Sequence, residues 1–177
     1  MGLTHKSEKK FRISAKKMFL TYSQVHPEMT HDTVLECLKK EFNNFNYVLA
    51  KEDHKEEGGG VHFHAILLNN ETKFNINSPN RLDICYDRKF YHGHYESVQN
   101  LKQLVTYVCK DKNYKTNISN LKDGRLVSAK EMLLCRMKEI GPEAALIEYI
   151  FSFLILDILI KLYFLFNVLN QVFFIGR

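Results

Sequence analysis

The stretch Val61-His62-Phe63-His64-Ala65-Ile66-Leu67-Leu68 is an apolar run that leaves the loop Gly58-Gly59-Gly60. A short apolar run of this kind, bounded by glycines, reads as a β-strand. Side chains two positions apart on a strand share a face and stand about 6.6–6.8 Å apart. His62 and His64 therefore point the same way, with Ile66 and Leu68 continuing their row, while Val61, Phe63, Ala65 and Leu67 line the other face. Two imidazoles projecting from one rigid strand have the chemistry to hold a divalent metal. Two ordinary histidines fit the same pattern, and the rest of the chain has to decide.

Working outward, residues 46–53 read as a strand with Tyr47, Val48, Leu49 and Ala50 buried and Glu52 at its polar end. Residues 17–23 are a first strand, closed by a turn around His26-Pro27. Thr30 is placed to cap a helix over 31–42, where Val34, Leu35 and Leu38 make an apolar stripe. Downstream, 69–81 is loop-like, and 82–86 and 90–98 are shorter strands. A helix follows over 100–111, then a polar, loop-like stretch to Arg125, then a helix over 128–140 that Gly141-Pro142 breaks. The order of elements predicts an α+β fold. It is an antiparallel sheet of about five strands with flanking helices, of the split βαβ, ferredoxin-like kind.

In the helix over 100–111, Leu101, Leu104, Val105 and Val108 fall at i, i+3, i+4 and i+7 and form its core stripe. At 100° per residue, Tyr107 lies about 110° from the centre of that stripe and Lys110 nearly opposite it. The two are one turn apart on the exposed flank, which Gln103 shares. A tyrosine outside the apolar stripe is either a snorkelling surface residue or a functional one.

The 177 residues suit one domain with an appendage, and 45% hydrophobic with 25% charged residues places the chain among globular proteins. The net charge of +5 is concentrated early, in Lys6, Lys9, Lys10, Arg12, Lys16 and Lys17 against Glu8. Residues 1–12 are accordingly a basic arm, able to track phosphates and equally able to be a solvated terminus. Cys37, Cys85, Cys109 and Cys135 form no C-x-x-C pair. They read as reduced, core-type cysteines of an intracellular protein rather than a disulfide frame or zinc ribbon. No secretory signal is expected, and Lys6 stands where a myristoylation motif needs Ser or Thr.

The composition changes again near residue 149. From there to 177 Ile, Leu, Phe and Tyr dominate, with Asp157 and Lys161 as the charges before Arg177. Three readings suit this tail. It is long enough to span a bilayer, although the two central charges are costly there. It suits an oligomerisation helix covered by neighbouring chains, and it also has the look of an abrupt, poorly selected end.

Three signals now line up in order: Phe19-Leu20-Thr21-Tyr22, then His62-Phe63-His64 preceded by Glu52, then Tyr107-Val108-Cys109-Lys110. A fourth stretch, Leu82-Asp83-Ile84 with Phe90-Tyr91-His92-Gly93-His94, falls between the second and the third. The pattern resembles the HUH endonuclease domain of replication-initiation (Rep) proteins of circular single-stranded DNA viruses, on the geminivirus-like branch. The resemblance covers roughly residues 13–115.

The resemblance implies a nickase and ligase for single-stranded origin DNA in rolling-circle replication. Tyr107 is then the nucleophile and Lys110 its basic partner. His62, His64 and Glu52 are then ligands of Mg²⁺ or Mn²⁺, with Asp53 and His54 as alternatives for the third. The implied DNA contacts are Lys16, Lys17, Phe19, Leu20, Thr21, Tyr22, Arg81 and His92, with His94 an exposed neighbour. The implied partners are a stem-loop origin and its adjacent duplex, and the implied location is the host nucleus. By the same reading 13–118 is the catalytic domain, 119–148 a linker and helix opening an oligomerisation region, and 149–177 the hydrophobic tail.

The chemistry agrees with that implication. Cutting a phosphodiester takes a nucleophile, charge stabilisation at phosphorus and a neutralised leaving oxygen. A phenol ordinarily titrates near 10, so it is a weak nucleophile without help. A divalent cation with open positions supplies a Lewis acid for the phosphate. No G-x-x-x-x-G-K-[ST] loop occurs, so ATP hydrolysis is not expected of this chain. A non-catalytic origin-binding or repressor module, or a relic of an integrated viral gene, is the competing reading. An iron oxygenase built on two histidines and a carboxylate leaves Tyr107 and Lys110 without a purpose.

Overall fold

The computed structural model describes residues 11–53 and 60–175. The basic residues before Phe11, the glycine loop and the alternative ligand His54 lie outside the described residues. The chain divides into two compact units, one ending at Leu126 and one beginning at Val127.

The first unit begins with β1 (Ile13–Ala15) and β2 (Lys17–Val25), followed by α1 (His31–Glu41). The Thr30 side chain caps α1, accepting from the Thr33 N–H at 3.2 Å. Then come β3 (Asn46–Asp53), β4 (Val61–Leu68), β5 (Phe74–Ile76), β6 (Ile84–Tyr86), β7 (Lys89–Tyr91) and β8 (Gly93–Ser97). The unit closes with α2 (Leu101–Val108), β9 (Tyr114–Thr116), β10 (Leu121–Lys122) and β11 (Arg125–Leu126).

The main sheet has five strands in the order β8-β2-β4-β3-β9, each pair antiparallel. With α1 joining β2 to β3 and β4 lying between them, this is the expected α+β sheet of split βαβ type. Strand β4 is central, and its alternation sorts the molecule into two layers. Val61, Phe63, Ala65 and Leu67 pack with Met18, Leu20, Tyr22 and Leu49 against Val34, Leu35 and Leu38 of α1. On the other face Ile66 packs with Phe19, Val48 and Ala50 against Val105 and Val108 of α2.

Several short strands depart from the expected elements. Strands β1 and β5 pair with each other, Ile13 opposite Ile76; β5 lies in the stretch expected to be loop, and no strand was expected at β1. The polar stretch after α2 also contains β9, which completes the sheet against β3. Three residues carry too little periodicity to register as strands, and only the partner edge makes them so. The Asp123-Gly124 turn, with φ of 49° and 72°, makes a tight hairpin of β10 and β11. Cys85, expected in the core, is exposed; Cys37 and Cys135 are half-buried and Cys109 buried.

The stretch expected as one strand over 90–98 is two. Strand β7 pairs with β6, and β8 crosses to the main sheet beside β2. The change of partner occurs at Gly93. A Cβ there would lie 2.5 Å from Cε1 of Tyr95 and 2.7 Å from Cε1 of Tyr22. Tyr22 cannot yield, because it is fully buried and its hydroxyl donates to the Leu82 carbonyl at 2.7 Å.

In the second unit, Ser128 and Glu131 form a capping box at the start of α3 (Ala129–Ile140). Gly141, at φ 90°, turns the chain into α4 (Pro142–Ile175). The Arg136 guanidinium clasps both carboxylate oxygens of Glu148 at 2.9 and 3.0 Å, joining the two helices. Apolar side chains of α4 from Leu146 to Phe166 are exposed, and Lys161 pairs with Asp157 at 2.7 Å. Among the described residues no helix is long and apolar enough to cross a membrane.

Substituting Gly93→Ala is expected to destabilise the first unit by about 1–3 kcal/mol through overpacking against two tyrosine rings. Urea denaturation followed by tyrosine fluorescence measures it. A midpoint equal to the parent's would show that the rings can move aside.

Candidate active site

The face of the sheet that carries α2 gathers most of the residues singled out above. Glu52 on β3 pairs in register with His62 on β4, and Thr21 on β2 pairs with His64. Opposed residues of antiparallel strands project to one side, so all four share that face with Phe19. Helix α2 runs over the same face and presents Tyr107 from its last turn, 48% exposed. Val105 and Val108 anchor the helix, so the expected stripe is the buried one and Tyr107 lies off it.

His64 is the hub. Its ring stacks on Phe19 at 5.7 Å with 13° between planes, and meets the Tyr107 ring edge-on at 5.9 Å. Its Nε2 lies 3.1 Å from Oε2 of Glu52, and its Nδ1 lies 3.2 Å from Oγ1 of Thr21. A neutral imidazole that donates from Nε2 to the carboxylate accepts the Thr21 hydroxyl at Nδ1. Burial pushes the His64 pKa down, opposed in part by the charge and hydrogen bond of Glu52. The ring is therefore neutral at pH 7, the form a metal ligand needs.

Lys110 closes the group from the end of α2. Its Nζ lies 2.5 Å from Oε1 of Glu52 and 4.7 Å from the centre of the Tyr107 ring. The hydrogen bond to Glu52 raises the Lys110 pKa. Both oxygens of the Glu52 carboxylate are thus engaged, one by an ammonium and one by an imidazole. This explains why, among the described residues, no three His, Cys, Asp or Glu side chains are gathered as a metal site. The donor set still suits a divalent cation. It has two imidazoles and one carboxylate on one face, with Glu52 and His64 already in contact.

Not every expected residue meets this cluster. Leu20 and Tyr22 are fully buried on the opposite face under α1, so neither can touch DNA while the sheet is folded. The alternation of β2 dictates this: when Phe19 and Thr21 face the site, their neighbours cannot. Asp53, an alternative ligand, pairs with Val61 and so belongs to the other face from Glu52. Lys17 sits opposite Leu68, four residues and so about 13 Å along β2 from Thr21. Lys16 donates to the Asn70 carbonyl at 2.8 Å. Arg81 is held by Glu41 at 3.0 Å and by the Asn75 carbonyl at 2.9 Å. His92 is held by Asp83 at 2.7 Å, where the Tyr95 hydroxyl also donates at 3.3 Å. His94 is exposed and opposite Thr21 on the site face.

Two features went unassigned in the sequence. The contact of Thr21 with His64 is one, since no local pattern signals a contact made across strands. Glu96, opposite Phe19 on β8, joins the site face through a register that the sequence does not print.

The family description "Geminivirus Rep catalytic domain" matches residues 11–118 of the chain. No curated protein matches it.

His64 also makes stability depend on pH. An unfolded histidine titrates near 6.5, and the folded ring lower. Between those two values the unfolded state binds the extra proton first, so stability is full above about pH 6.5 and falls as pH drops through the window. His31, likewise lowered chiefly by burial, adds to the trend. In EDTA, urea midpoints are expected to fall from pH 7.5 to pH 5, and His64→Gln to flatten the slope. An unchanged slope in that variant would remove His64 from the account.

Proposed function

Because the chain belongs to the geminivirus Rep catalytic domain family, whose members nick DNA in rolling-circle replication, we propose that Tyr107 is its nucleophile. In this reading single-stranded origin DNA is cut and rejoined through a 5′-phosphotyrosine bond. The observation that carries the reading is the meeting of Tyr107, Lys110, Glu52 and His64 on one face. A structural role for these four gives no reason to leave a tyrosine half-exposed among a carboxylate, an ammonium and a buried imidazole.

The step balances simply. The Tyr107 oxygen forms a bond to phosphorus, the bond from phosphorus to the 3′ oxygen breaks, the phenolic proton leaves to solvent, and the freed 3′ oxygen takes a proton. Lys110, beside the ring, balances charge on the phosphate. Phe19 and Thr21 fix the plane and position of His64, and Thr21 accepts from Nδ1 whenever Nε2 is given to a ligand. Glu52, His62 and His64 would hold Mg²⁺ or Mn²⁺, which as a Lewis acid supplies charge neutralisation at the scissile phosphate. The phosphotyrosine bond keeps the energy of the bond it replaced, so attack by a 3′-OH rejoins the strand without ATP. The reading extends to duplex DNA beside the stem-loop, to self-association through 119–177 and to action in the host nucleus.

Mixing the full chain with stem-loop single-stranded DNA and Mn²⁺ is expected to give a covalent adduct on a denaturing gel. EDTA and Tyr107→Phe should each abolish it while Tyr107→Phe still binds the strand. Binding without an adduct under either metal would favour the non-catalytic origin-binding module.

A separate outcome follows from the competition at Glu52. Removing the ammonium with Lys110→Met is expected to tighten Mn²⁺ binding in calorimetry, although adduct formation slows. Weaker or equal Mn²⁺ binding in that variant would mean that the metal does not displace Lys110 from Glu52.

A further inference from the structure

Beside Tyr107, on the side away from Glu52, lies a cleft of about 390 Å³ between α2 and the strands β2 and β8. Phe19, Val98 and Leu104 make its apolar lining, and Glu96, Gln103 and Tyr107 are among the groups at its edge. None of the chemistry described above uses it. We propose that this cleft seats the base of a nucleotide adjoining the scissile phosphate, and that Gln103 and Glu96 select which base enters. The inference rests on the nicking reading and adds to it a source of sequence choice.

The position carries the first part of the argument. Tyr107 is a wall of the cleft and also touches His64, so one side chain borders both the reacting centre and the cavity. A strand whose phosphate reaches the Tyr107 hydroxyl has an adjoining base beside this opening. The volume is in the range of small-ligand sites, and an apolar floor with an aromatic ring suits an unstacked base.

The edge carries the second part. The Asn100 side chain caps α2, its oxygen accepting from the Gln103 backbone N–H at 3.2 Å and its amide donating to Oε1 of the Gln103 side chain at 3.3 Å. That contact orients the Gln103 amide and leaves its NH₂ group as a pair of donors at the cleft. Glu96, opposite Phe19 on β8, presents an acceptor alone. A donor and an acceptor on one rim discriminate between base edges, whereas phosphate contacts do not. Gln103 lies one turn before Tyr107 on the same helix, so the reading group and the nucleophile are set by one rigid element.

The test uses the full chain and a stem-loop whose loop is randomised. Adducts formed with Mn²⁺ are recovered and sequenced. One nucleotide flanking the cut is expected to show a preferred base enriched about tenfold, and Gln103→Ala to reduce that to about twofold or less, other loop positions keeping theirs. Gln103→Leu, which keeps the bulk, should relax the same position. Replacing that nucleotide by an abasic one should slow adduct formation by the unaltered protein. Unchanged selectivity in both variants, or an abasic strand cut as fast as the parent, overturns the proposal. The same pool bound to Tyr107→Phe, with and without Gln103→Ala, separates the two readings. Gln103-dependent enrichment among strands bound by Tyr107→Phe, with no adduct from the unaltered protein, sinks the nicking reading alone, and adducts from the unaltered protein without that dependence sink the cleft alone.

Discussion

The alternation of side chains along β4 is the constraint on which the rest of the first unit depends. As the central strand it is bonded on both edges, so its register sets that of β2 and β3, and through them of β8 and β9. Phe63, Ala65 and Leu67 are fully buried under α1, and burial of a Phe or Leu side chain is worth about 1.5–3 kcal/mol. A slip of one residue would move that row to the α2 face and put His62 and His64 into the α1 core. The histidines are held on the site face by the hydrophobicity of their neighbours rather than by any property of their own. The same constraint places Thr21 beside His64 and sends Leu20 and Tyr22 the other way.

Upon this frame the site is an electrostatic arrangement with one shared carboxylate. Glu52 is largely enclosed, and an enclosed carboxylate is costly unless its oxygens are satisfied. Lys110 from the end of α2 and His64 from the central strand satisfy one each. Glu52 therefore links the central strand that carries His64 to the end of the helix that carries Tyr107.

The second unit follows different physics. Capping at Ser128 and the turn at Gly141-Pro142 define two helices, and the fork of Arg136 on Glu148 fixes one to the other. The described apolar residues exposed between Leu146 and Phe166 lie all around α4 rather than along one stripe, so no single neighbouring helix face could cover them.

The long elements were legible because each repeats a pattern over several turns or pleats. Strands β3 and β4 have the expected limits, α1 and α3 nearly so, and the stripe of Leu101, Leu104, Val105 and Val108 placed Tyr107 and Lys110 on the open flank of α2. The sequence also supplied the order of motifs that pointed to the family. Strands β1, β5 and β9 were not legible, since three residues become a strand only when a partner edge takes up their hydrogen bonds. Nor did the motif Phe19-Leu20-Thr21-Tyr22 show which of its members face the site until β2 was paired and its two faces were assigned. The sequence by itself determined the order of motifs that points to the family and which helix and strands carry Tyr107, Glu52, His62 and His64. Tertiary structure alone decided that Glu52 is shared between His64 and Lys110, that Thr21 positions an imidazole, and that a cleft opens beside Tyr107. Those are contacts between residues far apart in the chain, and only strand register and helix packing bring them within bonding distance.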